Sequence, residues 1–332
     1  MSTVFSWVPG RLLVLVLWLL VALSCKKNDD TVASPQTIPD RILEGSQFNV
    51  LRAAIAYAGV SDALKDGNLT LFAPTDSAFQ ASGLGTIATI LAMPKEQVRA
   101  ILMYHVIYGV VRSTDPNIRP NATVNVQTAN GKSVNIIGPA AGLFDDIHIS
   151  NATVTKPDQV VANGIIHTID RVLLPPAGSP LAVLQSNPDL SLFVAALNRV
   201  SSTRPDLVKA LNGGGTTNTS TVVLFAPTNA AFQAAGYSDV TAINSADVQT
   251  LAHLLAYHFL DGGVAYSWYI KAVSTGSGSK WATVEGTQLN MFTSNDSFTV
   301  KGQKNATPAG VKQADISATN GIIHIIDKVL QP

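Results

Sequence analysis

The chain is poor in cysteine and in charge, and each shortage excludes a class of protein. It has 1 cysteine in 332 residues, which excludes an intrachain disulfide, a CxxC metal site and a multi-cysteine cluster. Charged residues make up 13%, against about 25% in a typical soluble protein, and 22 basic residues balance 22 acidic ones. Without a basic excess or a basic run, the sequence argues against nucleic-acid binding through the phosphate backbone.

The longest apolar run, residues 12–23, lies near the N-terminus and is too short to cross a membrane. As a helix, its 12 residues would span about 18 Å, against a hydrocarbon core of ~30 Å. A positive residue, Arg11, precedes the run and small residues end it. This pattern is typical of a secretory signal peptide.

The signal-like run leads directly to Cys25, the one cysteine of the chain. Residues 21–25 resemble the bacterial lipobox. The resemblance implies that residues 1–24 are a signal peptide, that the chain is cut before Cys25, and that Cys25 is lipidated. Several acyl chains would hold the protein firmly, because each buried CH₂ contributes about 0.8 kcal/mol. The alternative is a chance cysteine beside an ordinary signal or a short anchor.

Residues 25–40 are predicted to form a flexible tether. They contain Asn28, Asp29, Asp30, Ser34, Pro35 and Pro39 and have too few apolar side chains to fold. The charged stretch 26–30 resembles the export tags of some Gram-negative surface lipoproteins, and a solvated linker explains it equally well. We therefore expect a lipid-anchored protein of the cell envelope, in the outer membrane, either surface-exposed or facing the periplasm.

The rest of the chain is an internal duplication. Three blocks of sequence recur in the same order, and the first and third agree between copies at nine of 11 positions each. A period near 150 residues indicates duplication of a whole domain, not a solenoid repeat. The paired blocks are 71–81 and 224–234, Tyr104-His105 and Tyr257-His258, and 163–173 and 320–330.

A stretch rich in Pro and Gly, residues 175–180, separates the two copies. Pro and Gly disfavour the continuation of helix or sheet across it. We therefore place domain one at 41–174 and domain two at 181–331. Domain two has longer polar loops near 213–218 and 274–279, which are places either for partner binding or for neutral insertion.

Within each copy the pattern predicts helices first and strands later, which defines an α+β domain. Apolar residues recur at helical spacing over 48–58 and 192–200. The later half is strand-like, with an Asn-Gly hairpin turn at 130–131. Each copy is predicted to close on a β-rich run, 165–173 or 322–330.

The three blocks resemble the signature of the fasciclin domain. They read Leu-Phe-Ala-Pro-Thr-Asx-x-Ala-Phe, then Tyr-His, then Asn-Gly-Ile-Ile-His-x-Ile-Asp-x-Val-Leu, in order in both copies. The resemblance implies two fasciclin-type domains, each a β-sandwich-like wedge with a helical cluster. It also implies adhesion at the cell surface or in the extracellular matrix.

The matched histidines are the candidates for acid–base chemistry, because the pKa of histidine lies near neutrality. Each lies in an apolar signature block, where a buried imidazole that joins two elements is the simpler role. No G-x-S-x-G, P-loop, H-E-x-x-H or EF-hand motif is present, so we predict no enzyme, no metal site and no cofactor. The residues of this structural signature are Tyr104, His105, Tyr257, His258, His167 and His324.

The candidate partner-binding residues come from the family resemblance. The segments before each last block resemble the Asp-Ile segments implicated in integrin binding by animal fasciclin domains. They point to Asp158 and Val160 in domain one and to Asp315 and Ile316 in domain two. The match is weaker in domain one, and ordinary edge-strand structure is the alternative in both.

Two functions are compatible with these features. The first is a non-enzymatic, lipid-anchored protein that presents both domains for adhesion or ligand binding to an extracellular protein or glycan. The alternative is a glycan-binding accessory lipoprotein of an outer-membrane uptake system, in which aromatic rings stack on sugars. The candidate rings are Tyr266, Trp268, Tyr269 and Trp281, with the core of domain two as the competing location.

Overall fold

The computed structural model describes residue 2 and residues 35–118, 122–140, 142–143, 145–214, 221–274, 278–294 and 297–332. Cys25, the signal peptide beyond Ser2 and most of the tether lie outside these ranges, as do parts of both long loops of domain two. Residues 36–332 form one compact unit that contains both domains. Across the described ranges, no helix has both the length and the apolar character that a membrane span requires.

Domain one opens with a cluster of helices. The first begins after Thr37, whose side chain and the Asp40 carboxylate cap each other's backbone amides. The folded domain therefore starts before the predicted boundary at residue 41, because Ile38 and Ile42 are buried in its core. The helices are α1 (Ile38–Glu44), α2 (Asn49–Ala58), α3 (Asp76–Ala81), α4 (Ile87–Leu91) and α5 (Lys95–Tyr104), with a 3₁₀ turn at Ala63–Lys65.

One seven-stranded sheet completes domain one, in the order β2-β1-β7-β6-β5-β4-β3. Strand β1 is parallel to β7, and β6 pairs antiparallel with β5 at its start and with β7 along the rest of its length. This long strand therefore joins the two halves of the sheet. The strands are β1 (Leu69–Pro74), β2 (Val106–Tyr108), β3 (Thr123–Gln127), β4 (Ser133–Ile137), β5 (His148–Ile149), β6 (Ala152–Val161) and β7 (Gly164–Ile169).

Domain two repeats this plan, which confirms the predicted α+β class. Its sheet has the order β10-β11-β12-β13-β14-β8-β9, with β8 parallel to β14. The helices are α6 (Pro180–Ser186), α7 (Ser191–Val200), α8 (Pro205–Lys209), α9 (Asn229–Ala234), α10 (Val240–Ser245), α11 (Val248–Ala256) and α12 (Ser267–Val273), with helical turns at Pro188–Leu190 and Ala210–Gly214. The strands are β8 (Val222–Pro227), β9 (Phe259–Leu260), β10 (Ser279–Ala282), β11 (Gln288–Ser294), β12 (Ser297–Lys301), β13 (Ala309–Ala318) and β14 (Gly321–Ile326).

The first signature block ends a buried strand and starts a helix. Thr75 accepts a hydrogen bond from the Ala78 amide at 3.2 Å and so caps α3. The next residue, Asp76, accepts from the Val50 amide at 2.8 Å, near the start of α2. Asn229 takes the same position at the start of α7 in domain two. The block therefore attaches the first long helix of each domain to its sheet.

Each domain has one apolar core between helices and sheet and a second within the sheet itself. A further small cluster joins the two domains. In it, Ile137 of domain one packs with Tyr266 and Ile322 of domain two.

Candidate ligand site between the two domains

Two aromatic side chains of domain two contact the β4–β5 region of domain one. The Tyr266 hydroxyl accepts a hydrogen bond from Asn135 Nδ2 at 3.1 Å, and Tyr266 is 4% exposed. The Trp268 Nε1 donates to the Ser150 carbonyl at 2.8 Å. The Trp268 indole also stacks on the His148 ring, with centroids 3.5 Å apart. These contacts connect the two domains and fix one against the other.

The predicted sugar-stacking rings therefore divide into two groups. Tyr266 and Trp268 pack against domain one, and Trp268 also lies edge-to-face with Tyr269, with centroids 5.7 Å apart. Tyr269 and Trp281 form an edge-to-face pair with centroids 6.1 Å apart, and Trp281 Nε1 donates to Ser279 Oγ at 2.7 Å. Short-range sequence pattern does not separate these roles, since it contains no information on contacts with the other domain.

The histidine of each Tyr-His pair joins the end of a helix to the end of the domain. His105 Nδ1 donates to the Ile101 carbonyl at 2.8 Å, and its Nε2 accepts from the Leu173 amide at 3.0 Å. His258 makes the same two bonds in domain two. Burial lowers the pKa of both histidines to about 4. The closing runs leave the sheet at Ile169 and its counterpart in domain two, earlier than predicted, and so bring these amides to the imidazoles.

The histidine of each last block is tied to two other segments. His167 Nε2 donates to the Val111 carbonyl at 2.8 Å, and its Nδ1 accepts from the Asp158 amide at 3.2 Å. His324 repeats this pattern in domain two, with Asp315 supplying the amide. Burial lowers the pKa of both histidines, so the neutral form required by these bonds is favoured.

The two predicted partner-binding aspartates lie at β-bulges in β6 and β13. Their φ angles are 53° at Asp158 and 60° at Asp315, in the left-handed region. The Asp158 carboxylate accepts from the Ser113 amide at 2.9 Å and from its hydroxyl. Asp315 bonds Ser267 in the same way, at 2.7 Å from the amide. Both carboxylates are therefore occupied within their own domain.

This grouping of Ser, Asp and His side chains is not arranged for nucleophilic catalysis. The Ser113 hydroxyl bonds to Asp158, while both ring nitrogens of His167 bond to backbone groups. In a Ser-His-Asp triad, the serine hydroxyl bonds to an imidazole nitrogen that takes its proton. In the part of the chain that the structure describes, no group of three or more His, Cys, Asp or Glu side chains could hold a metal ion.

A cleft of about 500 Å³ lies between the two domains. Domain one contributes Arg171 to its lining, and domain two contributes Lys271. Of the predicted partner-binding residues, Asp315 and Ile316 line this cleft. Val160 instead lies on β6, where its side chain is 65% exposed. The structure therefore brings the domain-two candidates to an inter-domain site and leaves those of domain one elsewhere.

A second cleft of about 430 Å³ also lies between the domains. Lys132 and Asn135 of domain one and Tyr266 of domain two line it. Ser317 lines both clefts. The sequence pattern identifies neither space, because Lys271 and Lys132 lie outside the signature blocks and Arg171 stands at a variable position of the last block. Each cleft also depends on the placement of one domain against the other.

The sequence profile of the fasciclin domain matches this chain twice, at residues 46–175 and 188–332. The chain belongs to the fasciclin family. This membership confirms the resemblance of the three signature blocks, and the structure adds how their histidines hold each domain together.

Several relatives of this fasciclin-family chain are animal or cyanobacterial proteins. It is 32% identical over 186 residues to transforming growth factor-beta-induced protein ig-h3 of Sus scrofa, covering 55% of this chain and 24% of the relative. It is 27% identical over 305 residues to human periostin, covering 91% of this chain and 32% of periostin. It is 32% identical over 148 residues to Protein sll1483 of Synechocystis, covering 43% of this chain and 76% of that protein. The chain thus spans a third or less of the two animal relatives.

A solved structure with similarity to this chain is a FAS1 domain pair from the insect cell adhesion molecule fasciclin I. The two share 22% sequence identity, with a TM-score of 0.40, and the match covers 85% of this chain and 96% of that chain.

Proposed function

We propose that this chain is a non-enzymatic, lipid-anchored adhesion or ligand-binding protein of the cell envelope, held in the outer membrane and displayed at the cell surface. Two fasciclin domains make up most of the chain, which supports the adhesive role that the family resemblance implies. The lipobox-like residues 21–25 support the anchor, with Cys25 as the lipidated residue.

The observation that carries the proposal is the junction between the domains. Tyr266 and Trp268 attach domain two to the β4–β5 region of domain one, and two clefts lie beside this contact. A ligand that touches both domains would therefore meet a preformed surface, which reduces the cost of ordering on binding. A rigid, two-domain binding surface suits adhesion or ligand capture.

The absence of enzymatic activity is supported by the bonding of the matched histidines. His105, His167 and their counterparts in domain two each use both ring nitrogens within the fold. An imidazole held in this way cannot accept a proton without losing a structural hydrogen bond. We therefore do not expect any of the four matched histidines to act as an acid–base catalyst.

Attachment of whole cells tests the adhesive role. A strain that lacks residues 26–332 should attach less well than the parent to protein-coated and glycan-coated surfaces. Restoring the full chain should restore attachment. Equal attachment of parent and deletion strain across all coatings would overturn the proposal.

The anchor is tested separately with Cys25→Ser. Mass spectrometry of the mature protein should show acyl chains on Cys25 in the parent and none in the variant. Protease added to intact cells should degrade the parent protein if it faces the exterior. An unmodified Cys25 would contradict the lipid anchor. Complete protection from protease would contradict the surface location.

The alternative, a glycan-binding accessory lipoprotein of an uptake system, was based on four aromatic rings. Two of them, Tyr266 and Trp268, contact domain one at the domain junction.

A further inference from the structure

Strand β13 of domain two has a free edge along most of its length. On one side it pairs with β14 from Val311 to Ala318. On the other side β12 pairs with it only at Ala309 and Gly310, and no further strand of the described residues lies there. From Val311 onward, the outer backbone groups of β13 therefore have no strand partner within the described part of the chain.

The turn after β13 shows which backbone groups face this edge. Ala318 and Gly321 close a two-residue turn as a hydrogen-bonded pair, and the next pair along the strands directs its backbone groups away from each other. Ser317 therefore directs its N–H and C=O away from β14. The Thr319 amide, two residues further on, donates to the Gly178 carbonyl at 2.9 Å. A passing segment of the linker thus already uses the end of this edge.

The matching strand of domain one, β6, carries two residues that block the same edge. These residues are Lys156 and Pro157. Lysine and proline on an edge strand are devices by which natural proteins prevent pairing with another strand. Aligned on its bulge aspartate, β13 has Gln313 and Ala314 at these two positions. Domain two therefore lacks the blocking residues of domain one.

The Ala314 amide is not needed by the β13–β14 pairing. Pro157 has no N–H at the matched position, yet β6 pairs with β7 on both sides of it, as β13 pairs with β14 on both sides of Ala314. Ala314 and Ser317 thus each have a backbone amide that the pairing with β14 does not require.

Lys312 is the one lysine of β13, and it does not guard this edge. Its ammonium lies 3.9 Å from Asp327 Oδ2, beyond the end of β14. It is also not among the described residues that line the cleft between the domains. The part of β13 that borders the cleft is therefore free of lysine.

The cleft of about 500 Å³ between the domains lies along the free edge. Val311 and residues 313–317 of β13 line it, and its volume is within the range of about 300–1,000 Å³ typical of ligand sites. Domain one adds Leu174 and Pro175 to the lining, and the Leu174 side chain is 45% exposed. The cleft thus combines an unpaired strand edge with an apolar surface from the other domain.

We propose that this cleft binds an extended segment of a partner protein, which adds to β13 as a further strand. Backbone hydrogen bonds to Ala314 and Ser317 supply the affinity, and alternate apolar side chains of the segment contact Leu174 and Pro175. The proposal rests on the ligand-binding function proposed above and names an extended peptide as the ligand of this cleft.

Selection of peptides tests the proposal without assuming a sequence. The probe is a phage-displayed library of short random peptides, offered to the full chain in detergent, and the selected peptides are then synthesised. We expect apolar residues at alternate positions, and binding should slow hydrogen exchange at the Ala314 and Ser317 amides. Failure to select a binding peptide, or binding that leaves the exchange of both amides unchanged, would contradict strand addition.

Methylation of the peptide backbone separates strand addition from binding through side chains alone. Two versions of a selected peptide carry N-methyl groups at alternate amides, one version on each edge of the extended chain. The version methylated on the edge that faces β13 should bind about tenfold more weakly or worse, because it loses backbone hydrogen bonds, while the other should bind like the unmodified peptide. Equal affinity of all three peptides would overturn the proposal.

A graft of the blocking residues from domain one places the site. Gln313→Lys combined with Ala314→Pro copies Lys156 and Pro157 into β13, at a position where the same fold accepts proline. The graft should weaken peptide binding about tenfold or more. The matched control is the reverse change in β6, Lys156→Gln with Pro157→Ala, which should bind the peptide no more weakly than the parent. Parent-like affinity in a graft whose thermal unfolding is also parent-like would refute β13 as the site.

The attachment assay distinguishes failure of this proposal from failure of adhesion. Cells that carry the graft should lose attachment to protein-coated surfaces as the deletion strain does. Normal attachment of the grafted cells, with attachment lost in the deletion strain, would reject strand addition as the means of attachment and leave adhesion itself standing.

Discussion

The indole ring of Trp268 lies flat on the imidazole ring of His148, with centroids 3.5 Å apart and ring planes within 1°. One ring belongs to domain two and the other to β5 of domain one. Together with the bond from Trp268 Nε1 to the Ser150 carbonyl, this stack makes a single side chain responsible for much of the junction between the domains.

Trp268→Ala is expected to loosen the two domains from each other. The variant loses the ring stack and one hydrogen bond, at a cost of about 2–4 kcal/mol to the coupling of the domains. Calorimetry should show one unfolding transition in the parent and a broadened or divided transition in the variant. Protease should also cut the linker 175–180 faster in the variant. Trp281→Ala, whose ring contacts lie within domain two, is the control. An unchanged transition in Trp268→Ala would contradict this role.

Acid should destabilise the protein between about pH 6.5 and pH 4. Burial lowers the pKa of His105 and His258 from an ordinary 6.5 to about 4, so in this range the unfolded chain binds more protons than the folded one. Their contribution is fully present above pH 6.5 and is lost as pH falls toward 4. Each contributes up to about 3 kcal/mol on this basis.

Denaturant unfolding at pH 7.5, 6, 5 and 4.5 measures this dependence. His105→Gln should be less stable than the parent at pH 7.5, because the bonds to Ile101 and Leu173 are disturbed. The same variant should show a shallower loss of stability on acidification, since one titrating group is gone. A parent protein equally stable at pH 7.5 and 4.5 would show that the imidazoles are not held neutral.

We expect the Asp158 side chain to contribute mainly to the stability of domain one and not directly to partner binding. Asp158→Ala removes two hydrogen bonds from Ser113 and places a β-carbon residue without a polar side chain at φ 53°. We expect a loss of about 2–3 kcal/mol from domain one. Asp158→Asn, which tolerates this backbone region and keeps an acceptor, should lose less.

Paired measurements of unfolding and attachment decide between the two roles of Asp158. If the carboxylate serves the fold, Asp158→Asn cells should attach in proportion to the folded protein at their surface. Loss of attachment by a fully folded Asp158→Asn protein would instead support the partner-binding role. The same comparison applies to Asp315, whose bonds to Ser267 match those of Asp158 to Ser113.

Gly164 is required by the close approach of two parallel strands. A Cβ at this position would lie 2.0 Å from the Leu69 carbonyl oxygen, at the start of the β1–β7 pairing. Gly164→Ala should therefore cost about 3 kcal/mol or more, or prevent domain one from folding. Gly67→Ala is the control, because a Cβ there meets nothing within 4 Å. Circular dichroism melts of the two variants should differ accordingly, and similar melting would refute the steric requirement.

Features that depend on near neighbours along the chain could be predicted from the sequence. The duplication, the α+β class and the amphipathic helix Asn49–Ala58 follow from block repetition and periodicity. The structural role of His105 was also predicted, because a histidine inside an apolar block needs buried partners.

Features that depend on distant residues required the tertiary structure. One hydrogen-bond partner of His105 is the amide of Leu173, 68 residues away along the chain. The hydroxyl of Tyr266 accepts a hydrogen bond from Asn135 of the other domain. The inclusion of Ile38 in the core of domain one depends on residues far along the chain, since Ile38 shares a core with Ile166 and its amide donates to Asn163 Oδ1 at 2.8 Å. None of these contacts leaves a periodic signal in the local sequence.

The sequence by itself determined that this protein is two copies of one α+β domain, preceded by residues that resemble a lipobox, since repetition and hydrophobic spacing are local properties. Only the tertiary structure decided how the copies meet, that Trp268 and Tyr266 join them rather than face solvent, and that Arg171 and Lys271 border one cleft. The physical reason is that packing between domains is determined by surface shape and by hydrogen bonds between residues more than 100 positions apart, such as Asn135 and Tyr266.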